Sequence, residues 1–313
     1  MRTLTLFAGA GGADIGLQRA GCQHVACVEG DRNAVATLVA AGFPGVHAWI
    51  GTPPPGSDVP AWSWDGIPVD LLWGSPPCQP YSFAGDRLGA ADPRDGWPAT
   101  LATIRQVRPR WVIIENVGGS PIRSWALDLH GGMFATEEHY PYVSTRTLDA
   151  ADWGLPSHRR REFLVAGPVP YRWPEPTHCG PDAPVAARLR LLPWVGMGTC
   201  LIPGKPQEYL GRGRGGSEPW RLDLPSACLL AREAKGTRAS EASGYTFHGG
   251  PDGASDSLFL ALGRRRADIA ECAALVGFPA DYPFQGTSEA RYRQVGNAVA
   301  PIMAQVLATN LPQ

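Results

Sequence analysis

Three prolines and one glycine fall within Gly74–Ser82, which reads Gly-Ser-Pro-Pro-Cys-Gln-Pro-Tyr-Ser. Proline removes an amide donor and clashes with the preceding helical turn, so neither helix nor central strand fits there. The run follows Val69–Trp73, a short apolar stretch of the kind that forms a buried parallel strand. Cys78 therefore belongs on a stiff loop at the carboxyl end of a strand. In open α/β sheets that edge is where ligands bind. Two readings of the thiol stand at this point: a structural cysteine in a turn, since free cysteines are mostly buried and inert, or a rigidly held nucleophile.

The same strand-then-turn pattern recurs along the chain. Leu4–Phe7 predicts a buried strand, Ala8–Gly12 a Gly-rich turn, and Ala13–Ala20 a helix, the first unit of a nucleotide-binding sheet. The glycines alone are weak support, because tight turns use them too. His24–Val28 predicts a second strand ending at Glu29. An acid there suits a ribose diol, or equally a helix start near Asp31. Further helices are expected at Asn33–Ala41 and Ala99–Val107, and strands at Gly45–Ile50, Trp111–Ile114, Val143–Leu148 and Glu162–Ala166, the last two as a hairpin. Glu115 then sits at a strand tip on the same rim as Glu29 and Cys78. If Arg161 opens the final strand, alternation puts Arg159 and Arg161 on one face. Residues 84–96 are long and polar, the kind of loop that closes over a site.

Composition bounds the class. The chain has 313 residues, 44% of them hydrophobic and 18% charged, enough for one elaborated domain or two. No apolar run is long enough to span a bilayer, and the start runs straight into a strand with no signal peptide. The seven cysteines show no C-x-x-C pair, so a reducing cytosol is expected, with neither a disulfide framework nor a metal site. Net charge is −1, but residues 1–156 carry −5 and residues 157–313 carry +4, nearly all of the positive charge as arginine. Arginine suits bidentate contacts to phosphate and bases. From Pro168 to about residue 264 the sequence is rich in Gly, Pro and Arg with weak periodicity, which predicts a second, irregular domain. Order returns with an amphipathic helix at Ile269–Val276 and an apolar helix ending near Ala308.

Taken together, these segments resemble the cytosine carbon-5 DNA methyltransferase family. The resemblance is carried by F-A-G-x-G-G at Phe7–Gly12, the acid at Glu29, P-C-Q at Pro77–Gln79 with Ser82, and E-N-V at Glu115–Val117. R-x-R at Arg159–Arg161, G-F-P at Gly277–Pro279 and G-N-A-V at Gly296–Val299 complete it. The order is the family's, and only about residues 168–220 are unmatched.

The resemblance implies an α/β fold: a Rossmann-like mixed sheet with helices on both faces, of the S-adenosylmethionine-dependent methyltransferase type, plus a small irregular target-recognition domain. Residues 1–167 would be catalytic, 168–288 would recognise the target, and 289–313 would return to the catalytic domain. It implies methyl transfer from S-adenosylmethionine to carbon 5 of a flipped-out cytosine, with Cys78 as nucleophile and Glu115, Arg159 and Arg161 as the other catalytic residues. The cofactor would lie on Phe7, Ala8, Gly9, Ala10, Gly11, Gly12, Glu29, Ile50, Pro76, Asn297, Ala298 and Val299. Double-stranded DNA would meet Gln79, Ser82, Arg94, Arg212, Arg214 and Arg232. A monomer in the cytoplasm of a prokaryotic or phage-infected cell is expected, with no membrane partner and with a companion restriction endonuclease as a possible partner. The chain departs from the family at Thr5 (usually Asp), Ala13 (usually large), Trp49 (about where Asp is expected) and Ser157 (usually Gln). An RNA cytosine methyltransferase and a catalytically weak nucleic-acid-binding homologue remain as alternatives. A nicotinamide oxidoreductase would leave Cys78, Glu115 and Arg161 unexplained.

Overall fold

The computed structural model describes residues 1–77, 95–118, 120–127, 140–200, 223–226 and 268–312. Its contacts divide the chain into two compact units: residues 1–149, 160–175 and 299–313, and residues 150–159 and 176–298.

The first unit is built on seven strands: β1 (Arg2–Leu6), β2 (Gln23–Glu29), β3 (Gly45–His47), β4 (Leu71–Gly74), β5 (Trp111–Val117), β6 (Tyr142–Asp149) and β7 (Arg160–Gly167). Their order is β3-β2-β1-β4-β5-β7-β6. The β1–β2, β2–β3, β1–β4 and β4–β5 pairs are parallel, and β7 runs antiparallel to both neighbours. The apolar runs of β1, β4 and β5 are buried almost throughout, as strands covered on both faces must be. Chain order reverses between β1 and β4, the switch point at which such sheets open a crevice. Because β7 is reversed, its first residues lie on the edge where β1, β2, β4 and β5 end.

Helices α1 (Gly12–Arg19), α2 (Arg32–Ala40), α3 (Trp97–Val107) and α4 (Ile122–Leu127) connect the strands. A C-terminal helix, Pro301–Thr309, belongs to this unit and packs against α1. The contact is so close that a Cβ on Gly16 would lie 2.1 Å from the Pro301 carbonyl oxygen. No side chain fits at Gly16 without moving the two helices apart.

Behind the first turn lies a buried polar knot. Asp14, on α1, accepts from Thr5 Oγ1 at 2.6 Å and from Cys27 Sγ at 3.1 Å. His24 Nδ1 lies 3.4 Å from the same carboxylate oxygen. The family's acid is missing at Thr5, and Asp14 supplies a buried carboxylate from the neighbouring helix. Burial pushes the Asp14 carboxyl up, against the opposing pull of His24, Thr5 and Cys27. A folded-state pKa above the unfolded one means that the folded chain holds this proton more tightly. Its contribution is complete below the unfolded pKa and is lost as pH rises through the raised value. Asp14→Asn, which carries no such proton, should therefore gain stability relative to the wild type as pH rises from about 4, the ordinary Asp value. Urea unfolding across a pH series checks this, and a pH-independent difference would contradict it.

The described residues of the second unit form short elements. A two-residue parallel pair, β8 (His178–Cys179) and β9 (Leu192–Pro193), lies beside a knot around Trp194. The Trp194 indole donates to Asp152 Oδ1 at 3.0 Å and meets the His158 ring edge-on. Helix Ile269–Val276 carries a capping box from Asp268 and Glu271 and stops at Gly277, whose φ is +95°. Phe278 then closes an aromatic trio with Tyr282 and Phe284. Sequence reading missed helix Ser288–Asn297, whose polar sequence gives little periodicity.

Candidate active site

Within the first unit, the expected cofactor turn has the backbone its sequence requires. Phe7, Gly9 and Gly11 have φ of +56°, +55° and +86°. A positive φ is cheap for glycine but strained for an aromatic residue, and such strain clusters at functional sites. Gly11 caps α1 without a side-chain hydrogen bond, so the helix start keeps backbone donors for a ligand.

Glu29 joins this turn to the next one. Its carboxylate accepts from Gly9 N and from Asp31 N, both at 2.8 Å. The cap of α2 is Asp31, which accepts from Asn33 N and Ala34 N, so Glu29 is not the helix-capping side chain. Burial raises the Glu29 carboxyl, while the backbone donors of Asp31 and Gly9 oppose the shift.

The loop that leads to Cys78 is held at its root. Asn116 Nδ2 donates to the Pro76 carbonyl at 3.0 Å, and Trp73 Nε1 donates to Ser75 Oγ at 3.0 Å. Phe7, Pro76 and Pro77 crowd around Gly96 so closely that a Cβ there would sit 2.7 Å from the Phe7 ring. Asn116 thus gives the middle residue of E-N-V a role that sequence reading did not assign.

In the β5–β7 ladder Arg161 stands opposite Val117, and Phe163 opposite Glu115. Residues 115 and 117 share a face, so Arg161 and Glu115 are diagonal neighbours, within reach of a long side chain. Arg161 Nε lies 2.9 Å from Glu115 Oε1, with only 12% and 9% of the two side chains exposed. Arg161 Nη1 also donates to the Arg160 carbonyl at 2.8 Å. The guanidinium is therefore fixed from two sides.

Other expected residues fall elsewhere. Strand β7 opens at Arg160, so the alternation expected to align Arg159 with Arg161 does not extend to Arg159. Arg159 is 1% exposed, and its Nη2 donates to the carbonyls of Gly296 and Ala298 in the second unit. Through these bonds it braces the Gly296–Ala298 backbone. Ser157 is likewise internal, donating to the Leu275 carbonyl at 2.7 Å. Ile50 lies in the first unit's core and Pro76 is buried. Ala298 and Val299 are buried and Asn297 is exposed. Cys78, Gln79, Ser82, Arg94, Arg212, Arg214 and Arg232 lie outside the described residues, as does most of the 84–96 loop.

The family model for C-5 cytosine-specific DNA methylases matches residues 1–180 and 238–313. The chain belongs to this family. It is a DNA cytosine-5-methyltransferase. Among curated relatives, the Type II methyltransferase M.NgoMIV of Neisseria gonorrhoeae is 27% identical over 99% of this chain and 96% of its own. M.AplI of Arthrospira platensis is 29% identical over 77% of this chain and 68% of its own. The crystal structure of the S. pombe Dnmt2 methyltransferase superposes with a TM-score of 0.62 at 18% identity, covering 99% of this chain and 97% of the other. That likeness concerns the fold, a Rossmann-like methyltransferase sheet. Among the described residues no helix is long and apolar enough to cross a membrane.

Proposed function

We propose that this methyltransferase acts on a cytosine flipped out of duplex DNA, through a transient bond between Cys78 and the base, with S-adenosylmethionine as donor. The observation that carries the reading is the Glu115–Arg161 pair, held on the sheet edge that also bears the glycine turn and the root of the Cys78 loop.

Carbon 5 of cytosine is a poor nucleophile. Addition of the Cys78 thiolate to carbon 6 turns the ring into an enamine and makes carbon 5 nucleophilic. Glu115 faces ring nitrogen 3 and the exocyclic amine, where the addition calls for a proton. Arg161 stabilises the negative charge that develops at oxygen 2, with no reorganisation because its guanidinium is already fixed. Loss of the carbon 5 proton and departure of the thiolate restore the aromatic ring.

The residues present fit the donor. Around Gly9 no atom would lie within 4 Å of an added Cβ, so a ligand can approach the backbone there. The Phe7–Gly12 turn would hold its methionine end and Glu29 its ribose. When bound, S-adenosylmethionine supplies an electrophilic methyl group on a sulfonium. Asn297, Ala298 and Val299 complete the cofactor set in this reading.

Residues 168–264, basic and outside the catalytic motifs, form the target-recognition region, with Arg212, Arg214 and Arg232 as DNA contacts and Gln79, Ser82 and Arg94 near the flipped base. In this reading the enzyme is a monomer, and a companion restriction endonuclease is a candidate partner. This reading goes with the cytoplasm of a prokaryotic or infected cell, where such an enzyme meets its DNA. Bisulfite sequencing of DNA from expressing cells should reveal 5-methylcytosine at one recurring short site. Unmodified DNA, with methyl transfer to RNA by the purified protein, would overturn the reading.

A further inference from the structure

Gly30, directly after Glu29, leaves bare backbone at the tip of β2. That gap is covered by Trp49, two residues beyond β3. A Cβ on Gly30 would meet the Trp49 ring at 3.1 and 3.3 Å. Strand-like alternation turns the indole out of the core. Ala48 and Ile50 are 4% and 7% exposed and lie in the core cluster, whereas Trp49 between them is half-buried. Its backbone is held on both sides: Trp49 N donates to the Pro60 carbonyl and Trp62 N donates to the Trp49 carbonyl, each at 2.8 Å. Among the described residues its indole N–H has no hydrogen-bond partner. A large aromatic ring on a fixed backbone, partly open to solvent, is therefore placed next to the residue proposed to hold a ribose.

We infer that Trp49 is the stacking platform for the adenine ring of S-adenosylmethionine. This rests on the cofactor reading above. With the sheet order β3-β2-β1, a ligand running from the β1 glycine turn across Glu29 reaches the β2–β3 edge with its base. Ala13, in the turn's first helix, is small and 3% exposed, so it supplies no ring of its own. Trp49 supplies one from the other side of Glu29. Stacking needs only a π-face and little exposure of the platform, and the free indole N–H adds a donor at the rim. The substitution that looks like a loss of an acid thus becomes a different way to hold the same base.

Calorimetry with S-adenosylhomocysteine tests this. Trp49→Ala should weaken binding about tenfold or more, a change typical of one lost base stack, while Trp49→Phe stays within about threefold. Glu29→Ala serves as an independent probe of the cofactor site. In protein labelled with 5-fluorotryptophan, the ¹⁹F resonance missing from Trp49→Phe belongs to Trp49. It should shift when S-adenosylhomocysteine is added to the wild type, and this readout decides the question even if Trp49→Ala folds poorly. If the wild type does not bind S-adenosylhomocysteine, the cofactor reading fails and this inference with it. If the wild type binds, Glu29→Ala loses binding, and Trp49→Ala and the Trp49 resonance are unaffected, the platform alone is wrong.

Discussion

Cys78→Ala should abolish methyl transfer, lowering it by at least about 10⁴-fold, the scale of loss when a covalent nucleophile is removed. Binding of S-adenosylhomocysteine and of DNA should stay near wild type. Of the five described thiols, four are poorly suited to the role. Cys27 is fully buried, and burial together with the Asp14 carboxylate pushes its thiol far up. Burial also raises the thiols of Cys22 and Cys200, and Cys272 is 3% exposed. A thiol held neutral is a weak nucleophile. The Cys78 loop, by contrast, is fixed at its root by the Asn116–Pro76 hydrogen bond and by the packing of Pro76 and Pro77 around Gly96. DNA carrying 5-fluorocytosine at the target should trap the wild type covalently, because fluorine does not leave as a proton does. Peptide mass spectrometry should find the adduct on Cys78 and none in Cys78→Ala. An adduct on any other cysteine would overturn the assignment.

The edge of the sheet was legible because its strands are buried on both faces. Leu71–Trp73 and Trp111–Ile114 are unbroken apolar runs that stop at Gly-Ser-Pro-Pro and at Glu-Asn-Val, so strand and functional turn are marked by the same change of composition. In the β6–β7 hairpin only the second half of β7 is buried in this way, and β6, at the sheet edge, is mostly open and was legible from its β-branched residues. What escaped was order created by partners distant in sequence. Arg159 reads as the first half of R-x-R, yet its guanidinium is occupied by carbonyls 137 and 139 residues away. No local pattern announces such a contact, and the period of two holds only inside the strand. Asn116 looked like a spacer between an acid and a valine until the Pro76 carbonyl was found within its reach. Trp49 could be named only as a departure, because its meaning depends on the missing side chain at Gly30.

Glu115→Gln and Arg161→Ala should each lower kcat by about 10²–10³, the loss seen when one preorganised group is removed from a developing charge, with little change in DNA affinity. The two side chains are about nine-tenths buried and lie 2.9 Å apart. Each change therefore removes a group proposed to act on the base and also leaves its partner without this counter-charge. Losing one member of a nearly buried pair is costlier than losing both, because an unpaired charge must then be solvated by the site. The double variant should for that reason lose much less than the product of the single losses, and the double-mutant cycle should give a clear coupling. Arg161→Lys separates the two contributions. It keeps the positive charge but not the planar guanidinium that holds Glu115 through Nε and the Arg160 carbonyl through Nη1, and an ammonium does not reproduce that geometry. Arg161→Lys should fall between the wild type and Arg161→Ala in single-turnover rate. If these variants instead raise KM for DNA at unchanged kcat, the pair positions DNA and takes no part in the chemical step.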